Sequence, residues 1–450
     1  MKKIKVNTFL SIIISKITIT LSKKIFKGGS NFPGRVALRL DKNILASVAC
    51  GYKIIIVTGT NGKTTTTSMI YNMLIDNNLK VITNNTGANM LPGITSTFIE
   101  NYRFRSKKED KYAVIEVDEA NLRLLTPHIE PIIITVTNLF RDQLDRYGEV
   151  YTTLTKIIEG MEKVPKAMLV LNGDESLLGG LPVVNSAIYY GFNLGVQEST
   201  KVDINADSKF CKKCKNPYSY KFITYSHLGS YYCESCGYRR PNLDYHIDNI
   251  IELTSKGSLV HINGQEYYMH QGGIYNIYNG LNAYAVAKYL DVPNSVIYNS
   301  LKSQKSSFGR QEIVSIFNKE VKIILVKNPA GFDQAISTLF LEKNELSLAI
   351  LLNDNYADGR DVSWIWDVDF EILTNLNINK LFFGGNRLYD MATRIKIAGL
   401  KEDKFVYNEK SNDLMDYIRD NNNVYILATY TAMLDFRKLL YKKGYIKKRW

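Results

Sequence analysis

The chain has 450 residues, more than one ordinary core accommodates, so two or three domains are expected. Hydrophobic residues make up 45% and charged residues 22%, a balance that excludes a disordered chain. Lys and Arg number 57 against 44 Asp and Glu, and the net charge of +13 favours an anionic partner: a nucleotide, a nucleic acid or an anionic membrane surface.

Residues 1–48 read as a basic, partly helical lead. Lys2, Lys3, Lys5, Lys16, Lys23, Lys24 and Lys27 precede any acidic residue, and an apolar run rich in Ile lies between them. Lys16 interrupts that run, so neither a secretory signal nor a transmembrane helix of ~20 apolar residues fits. Two readings remain open: an amphipathic helix on the inner membrane surface, or a helix packed on the unit that follows. Either one leaves the chain in the cytoplasm. Cys50, just before the first strand, reads as a buried packing cysteine.

The β-branched run Lys53–Thr58 predicts a strand. It leads into Gly59-Thr60-Asn61-Gly62-Lys63-Thr64-Thr65 and then into the helix-compatible segment Thr66–Leu74. Strand, glycine loop and helix together make an anion cradle. Lys63 would neutralise β/γ-phosphate charge and the Thr64 hydroxyl would hold Mg²⁺, which predicts ATP binding. Two residues separate the glycines, where the usual P-loop has four.

Further apolar strands are expected at Lys80–Thr83, Tyr112–Val117, Ile132–Val136 and Ala167–Leu171, alternating with helical patterns. That rhythm argues for an α/β unit with a largely parallel sheet. Glu116-Val117-Asp118-Glu119 closes one of these strands, and Glu116 is the candidate second oxygen ligand for Mg²⁺. Cys211, Cys214, Cys233 and Cys236 form two Cys-x-x-Cys pairs in a segment of about 205–240. Their spacing predicts a structural zinc ribbon in preference to disulfides. The α/β pattern resumes at Leu259–Ile262 and the helix Asn279–Leu290.

A composition break at Ser303–Gly309 divides the chain into the lead, a central unit at 49–304 and a second α/β unit at 305–450. The second unit is predicted from Lys322–Val326, Leu346–Leu352, Lys380–Gly384 and Val424–Thr429. Its densest polar-aromatic segment, 353–367, follows a strand and offers Asp354, Asp358 and Asp361 as candidate acids.

The shortened glycine loop resembles that of the Mur ligase family. So do Thr137–Arg146, Gly273–Ala283 with its Gly-x-x-Asn-x-x-Asn, and Gly309-Arg310-Gln311-Glu312. The resemblance implies a central P-loop ATPase domain followed by a smaller α/β domain. It also implies ligation of a carboxylate to an amine through an acyl phosphate. It places Asn276 and Asn279 at adenine, Arg310 at the transferred phosphate and Glu116 at magnesium. Gln143 stands where many relatives carry a His serving a second metal, so a second Mg²⁺ site is left open.

With the loop at residue 59, no UDP-holding domain is expected ahead of it, and a lipid-carried substrate agrees with the basic apolar lead. The four-cysteine insertion, Lys327–Gly331 and the 353–367 segment resemble one branch of the family. That branch amidates the D-glutamate α-carboxylate of the lipid II stem peptide to D-isoglutamine. The resemblance implies a heterodimer with a glutaminase subunit of GatD type that supplies ammonia. It makes Asp361 the residue expected to orient the partner's catalytic His, with Asp354 and Asp358 as alternatives. The residues agree on one point independently. Four of the five cysteines are assigned to metal and Cys50 has no neighbouring motif, so the chain is not expected to hydrolyse glutamine alone. The rival readings are a stand-alone amino-acid ligase of the folylpolyglutamate type and a nucleic-acid-binding zinc-ribbon ATPase. The resemblance argues against nucleic acid.

Overall fold

The computed structural model describes residues 6–25, 31–84, 88–104, 110–141, 150–196, 208–305, 309–408 and 411–447. Strand β1, Tyr52–Thr58, shows why the first sheet forms. Ile54 and Ile56 bury into the core on one face, Ile55 and Val57 into the core on the other. Side chains alternate across a strand, so an unbroken β-branched run is what a sheet covered on both faces requires.

The strands that join it are β2 (Lys80–Thr83), β3 (Lys111–Glu116), β4 (Pro131–Val136), β5 (Met168–Asn172) and β6 (Ala187–Phe192). A separate antiparallel hairpin follows, β7 (Ser219–Tyr225) and β8 (Leu228–Tyr232). The large sheet then resumes with β9 (Tyr245–Leu253), β10 (Ser258–Ile262) and β11 (Gln265–Met269). Among the described residues it has nine strands in the order β11-β10-β9-β6-β5-β4-β1-β3-β2. Every pairing from β2 through β9 is parallel, and the β9-β10-β11 end is antiparallel. Because β6 pairs directly with β9, the hairpin and its cysteines are inserted between two adjacent strands.

A second sheet is built from β12 (Glu312–Ile316), β13 (Lys319–Leu325), β14 (Leu346–Leu351), β15 (Ile378–Gly384), β16 (Phe405–Tyr407) and β17 (Val424–Ala428). Its order is β12-β13-β17-β14-β15-β16, antiparallel only at β12-β13. Polar contacts join the unit around the first sheet to the unit around the second. Tyr225 donates to the Ala330 carbonyl at 2.8 Å, Lys256 pairs with Glu320 at 2.9 Å, and Ser255 bonds to Glu342.

The strand expected at Lys80–Thr83 occurs with those bounds, the others occur with one or both ends shifted, and β6, β9 and β11 lengthen the first sheet beyond what the sequence pattern suggested. The helix expected at Asn279–Leu290 runs from Ile274 to Tyr289. Gly273, at φ 92°, starts it, and its early asparagines disguise a helical turn because Asn favours caps and turns. Cys50 is exposed, not buried, because the chain turns at Gly51 with φ 88° and leaves the thiol on the outside. The lead forms the helix Val6–Ile25, held by Thr8 donating to Asp41 at 2.6 Å and Lys16 donating to the Tyr102 carbonyl at 2.6 Å. No helix among the described residues is long and apolar enough to cross a membrane. Gln143 lies outside the described residues.

Candidate functional site: a cleft between the two units

β1 ends at Thr58, and the helix Lys63–Asp76 begins four residues after Gly59. Both loop glycines have positive φ, 116° at Gly59 and 85° at Gly62. A Cβ on Gly59 would collide with Thr137 and Asn138, and one on Gly62 with the Asn279 amide, so the loop admits no side chain at either place. The segment after β4 braces the loop. Asn138 accepts from the Thr60 and Asn61 N–H groups, each at 2.9 Å, and Thr137 donates to the Asn61 carbonyl at 2.6 Å. The first-turn N–H groups of the following helix have no intrahelical partner, the usual setting for a phosphate.

Lys63 is buried, and its ammonium lies within the loop. It donates to the Gly59 carbonyl, to the Thr60 carbonyl at 3.1 Å and to both Glu119 oxygens at 3.2 Å. Burial raises the Glu119 carboxyl above its ordinary range, and the facing Lys63 charge opposes that rise. Thr64 donates to Glu116 Oε2 at 2.9 Å, while Asn89 holds Glu116 Oε1 at 3.2 Å. Thr64 and Glu116 therefore stand side by side, a hydroxyl and a carboxylate, the hard oxygen donors that suit Mg²⁺.

The opposite wall comes from the helix Ile274–Tyr289 and from the second sheet. Asn61, Gly62, Thr65, Asn276, Asn279 and Arg310 line a cleft of about 510 Å³, part of it open to solvent. Asn276 donates to the Gly272 carbonyl at 2.8 Å, and Asn279 donates to Asn276 Oδ1 at 3.2 Å. Thr66 reaches Asn279 Oδ1 at 3.4 Å, so this amide also braces the glycine loop. Gln311 donates to the Tyr275 hydroxyl at 2.6 Å, and burial pushes the Tyr275 hydroxyl up to about 12.

Lys327, Gly331 and Gln334 complete the cleft from the second unit. Asn328, fully buried, caps the helix Pro329–Leu339 through Gly331 N–H at 2.8 Å and reaches Asn61 Oδ1 at 3.4 Å. Glu119, Gln311 and Lys327 were not singled out from the sequence as site residues. The clearest available signal was Lys327 beside Asn328-Pro329, a capping residue and an N1 proline opening a helix just after a strand.

The three candidate acids of the 353–367 segment have different surroundings. Asp358 is buried and bonded to the Thr431 N–H at 2.7 Å and to the Thr431 hydroxyl; burial raises its carboxyl despite these bonds. Asp354 pairs with Arg387 at 3.1 Å and accepts from Asn386 at 2.6 Å. Asp361 is exposed, and its hydrogen bonds to Ser363, including the N–H at 2.8 Å, hold its carboxyl below the ordinary range.

Sequence and structure comparisons place this arrangement among known proteins. Residues 57–202 match the Mur ligase middle domain and residues 325–433 match the MurT ligase C-terminal domain. The MurT subunit of lipid II isoglutaminyl synthase (glutamine-hydrolyzing) from Streptococcus pneumoniae strain R6 is 42% identical over 93% of this chain and 94% of its own length. The corresponding Staphylococcus aureus COL subunit is 35% identical over 86% and 87%. The chain belongs to the MurT family. Among solved structures, a pseudomurein peptide ligase type C from Methanothermus fervidus superimposes with a TM-score of 0.66 at 20% identity, over 89% of this chain and 81% of that one. MurF ligase from Thermotoga maritima in complex with ADP gives 0.61 at 14%, over 91% and 85%. At these identities the two structures show the Mur ligase fold.

Cys211, Cys214, Cys233 and Cys236 converge. Their sulfurs all lie within 4.8 Å of one another, with Cys211–Cys236 at 3.5 Å and Cys214–Cys233 at 3.4 Å, and none is in a disulfide. Each pair sits on a knuckle whose next residue has positive φ, 64° at Lys215 and 70° at Gly237. Four thiols at this spacing match a closed tetrahedral metal site. The hairpin that carries them is tied to the end of β5 by His227–Glu175 at 2.8 Å and Arg240–Asp174 at 2.7 Å, with both acids fully buried.

Proposed function

We propose that this chain is the ligase subunit of a glutamine-dependent amidating enzyme. It uses ATP and Mg²⁺ to convert the D-glutamate α-carboxylate of the lipid II stem peptide into the amide of D-isoglutamine. The observation that carries this reading is the cleft itself. Asn61 and Gly62 of the glycine loop line one space with Asn276, Asn279, Arg310 and Lys327, and the loop's helix brings Thr64 to Glu116, in a chain 42% identical to a MurT subunit.

The loop and helix N-terminus bind the phosphates. Glu119 holds Lys63 at the loop, and Lys63 and Arg310 offset the charge that builds on the transferred phosphoryl group. Asn276 and Asn279 present amides to the adenine. Mg²⁺ held by Thr64 and Glu116 would screen the phosphate oxygens from the incoming carboxylate. The substrate carboxylate attacks the γ-phosphorus and ADP leaves. Ammonia then attacks the acyl carbon, phosphate departs, and the amide nitrogen gives up its extra proton.

The ammonia comes from a glutaminase subunit of GatD type, and Asp361 completes that partner's catalytic His. Asp361 is preferred over Asp354 and Asp358 because it alone of the three is exposed without being tied to a residue on another element. The cysteine cluster holds a structural Zn²⁺. The proposed division is a lead at 1–48, the ATP-binding unit at 49–304 with its ribbon at about 205–240, and the C-terminal unit at 305–450. The enzyme works in the cytoplasm, at the inner membrane face where its lipid-carried substrate lies.

Reconstitution tests this directly. Chain, glutaminase partner, lipid II, glutamine and Mg-ATP should yield ADP, phosphate and a lipid II one mass unit lighter, as expected when –OH is replaced by –NH₂. Without the partner, ammonium should replace glutamine. ATP turnover with an added amino acid, and none with ammonia, would instead make it a stand-alone ligase.

A further inference from the structure

The helix Val6–Ile25 is built inside out. Thr8, Ser11, Ser15 and Ser22 are buried together with Ile12 and Ile19. Leu10, Ile14, Ile17 and Leu21 are 51%, 43%, 54% and 49% exposed, and their i, i+4, i+7, i+11 spacing makes one continuous outward stripe. Phe9, 42% exposed, extends it and packs on exposed Phe104 with ring centroids 5.0 Å apart. Two of the inward hydroxyls are hydrogen-bonded, while the buried Ser15 hydroxyl finds no acceptor among the described residues. Ser11 donates to the Asn7 carbonyl at 2.8 Å and Thr8 to Asp41. A surface helix of a water-soluble protein normally shows the reverse pattern, so the outward stripe calls for a cover.

We propose that this face lies on an anionic bilayer surface, docking the enzyme beside its lipid-carried substrate; the proposal rests on that reading of the substrate. Three observations choose the bilayer. Residues 1–40 contain seven lysines, Arg35 and Arg39 and not one Asp or Glu, so the apolar stripe belongs to a strongly basic stretch. That combination suits anionic headgroups over an apolar interior. A second copy would bring together two stretches of the same positive charge, which disfavours self-association. The helix is 20 residues long but not apolar enough to span, so it lies in the plane of the interface.

The test is co-sedimentation of the full chain with vesicles that contain no lipid II. The chain should bind vesicles rich in phosphatidylglycerol on the order of tenfold more tightly than pure phosphatidylcholine vesicles, and added salt should erase the difference. The variant Leu10→Gln/Ile14→Gln/Ile17→Gln/Leu21→Gln should bind the anionic vesicles on the order of a hundredfold more weakly. It should keep its melting temperature and its amidation of a substrate analogue lacking the lipid tail. Equal vesicle binding by variant and parent, or none by the parent, overturns the proposal. So does a parent dimer that the variant converts to monomer, which would assign the face to a second copy. Intact vesicle binding by a chain that amidates nothing would refute the substrate reading and leave the docking surface standing.

Discussion

Lys63 has two duties that pull apart under mutation. Sequence reasoning makes it a phosphate ligand alone, so Lys63→Ala would be expected to leave the fold untouched. The structure adds the buried Glu119 at 3.2 Å. Removing the ammonium takes away that carboxyl's hydrogen-bonded charge partner and leaves only the weaker influence of Lys327, in a place where burial already favours its neutral form. Lys63→Ala should therefore abolish ATP-dependent amidation and also lower stability by about 2–3 kcal/mol, read as a denaturant midpoint. Adding Glu119→Gln should recover most of the stability and none of the activity. Asp361→Asn gives the complementary separation. Glutamine-dependent amidation should collapse while high ammonium restores part of it, because only the ammonia supply is broken. Absence of rescue would place Asp361 in this chain's own chemistry, and undiminished activity would return the role to Asp354 or Asp358.

At the scale of elements, the ribbon is more than a metal clip. Its hairpin delivers His227 to Glu175, and Arg240, just after the second knuckle, reaches Asp174; both acids sit at the end of a central strand. Cys211→Ser with Cys233→Ser should lose one zinc per chain by metal analysis. The melting temperature should fall well beyond the effect of a surface loop, since two buried carboxylates lose their ordered partners. This coupling was not legible in the sequence. The Cys-x-x-Cys pairs announce a metal site because ligand spacing is local. Nothing local says that Asp174 and Glu175, in an ordinary-looking turn, are buried beneath the insertion. The same limit explains the cleft. Its glycine loop could be read because strand, loop and helix are consecutive. Its other wall, Gln311 and Lys327, arrives from residues brought close only by the second sheet. The asparagines of Ile274–Tyr289 were recognised by motif, while their helical setting was hidden by low helix propensity.

For the molecule as a whole, pH reports on the seam between the sheets. Burial alone would raise the Glu342 carboxyl, but hydrogen bonds from Lys322, Ser255 and Tyr425 outweigh it and hold the group at about 2 against an ordinary 4.5. A depressed carboxyl contributes stability that is fully present above its unfolded value and is lost as pH falls through its folded one. The loss should run from about pH 4.5 down to about pH 2. Discounted for solvent screening, it amounts to about 1–2 kcal/mol. Glu342→Gln should flatten the stability curve across that window, measured by urea unfolding at successive pH values.

Asn328 reaches Asn61 across 267 positions of chain, beside a cleft lined by residues of both units. An occupant of that cleft is therefore a thermodynamic clasp as well as a reactant. Two bodies with separate hydrophobic cores are free to melt one after the other, whereas a ligand touching both is lost when either one opens. Calorimetry without nucleotide should show a broad or split endotherm. A non-hydrolysable ATP analogue at a hundred times its dissociation constant adds about 2.7 kcal/mol to the joined state. The trace should then sharpen into a single transition at higher temperature.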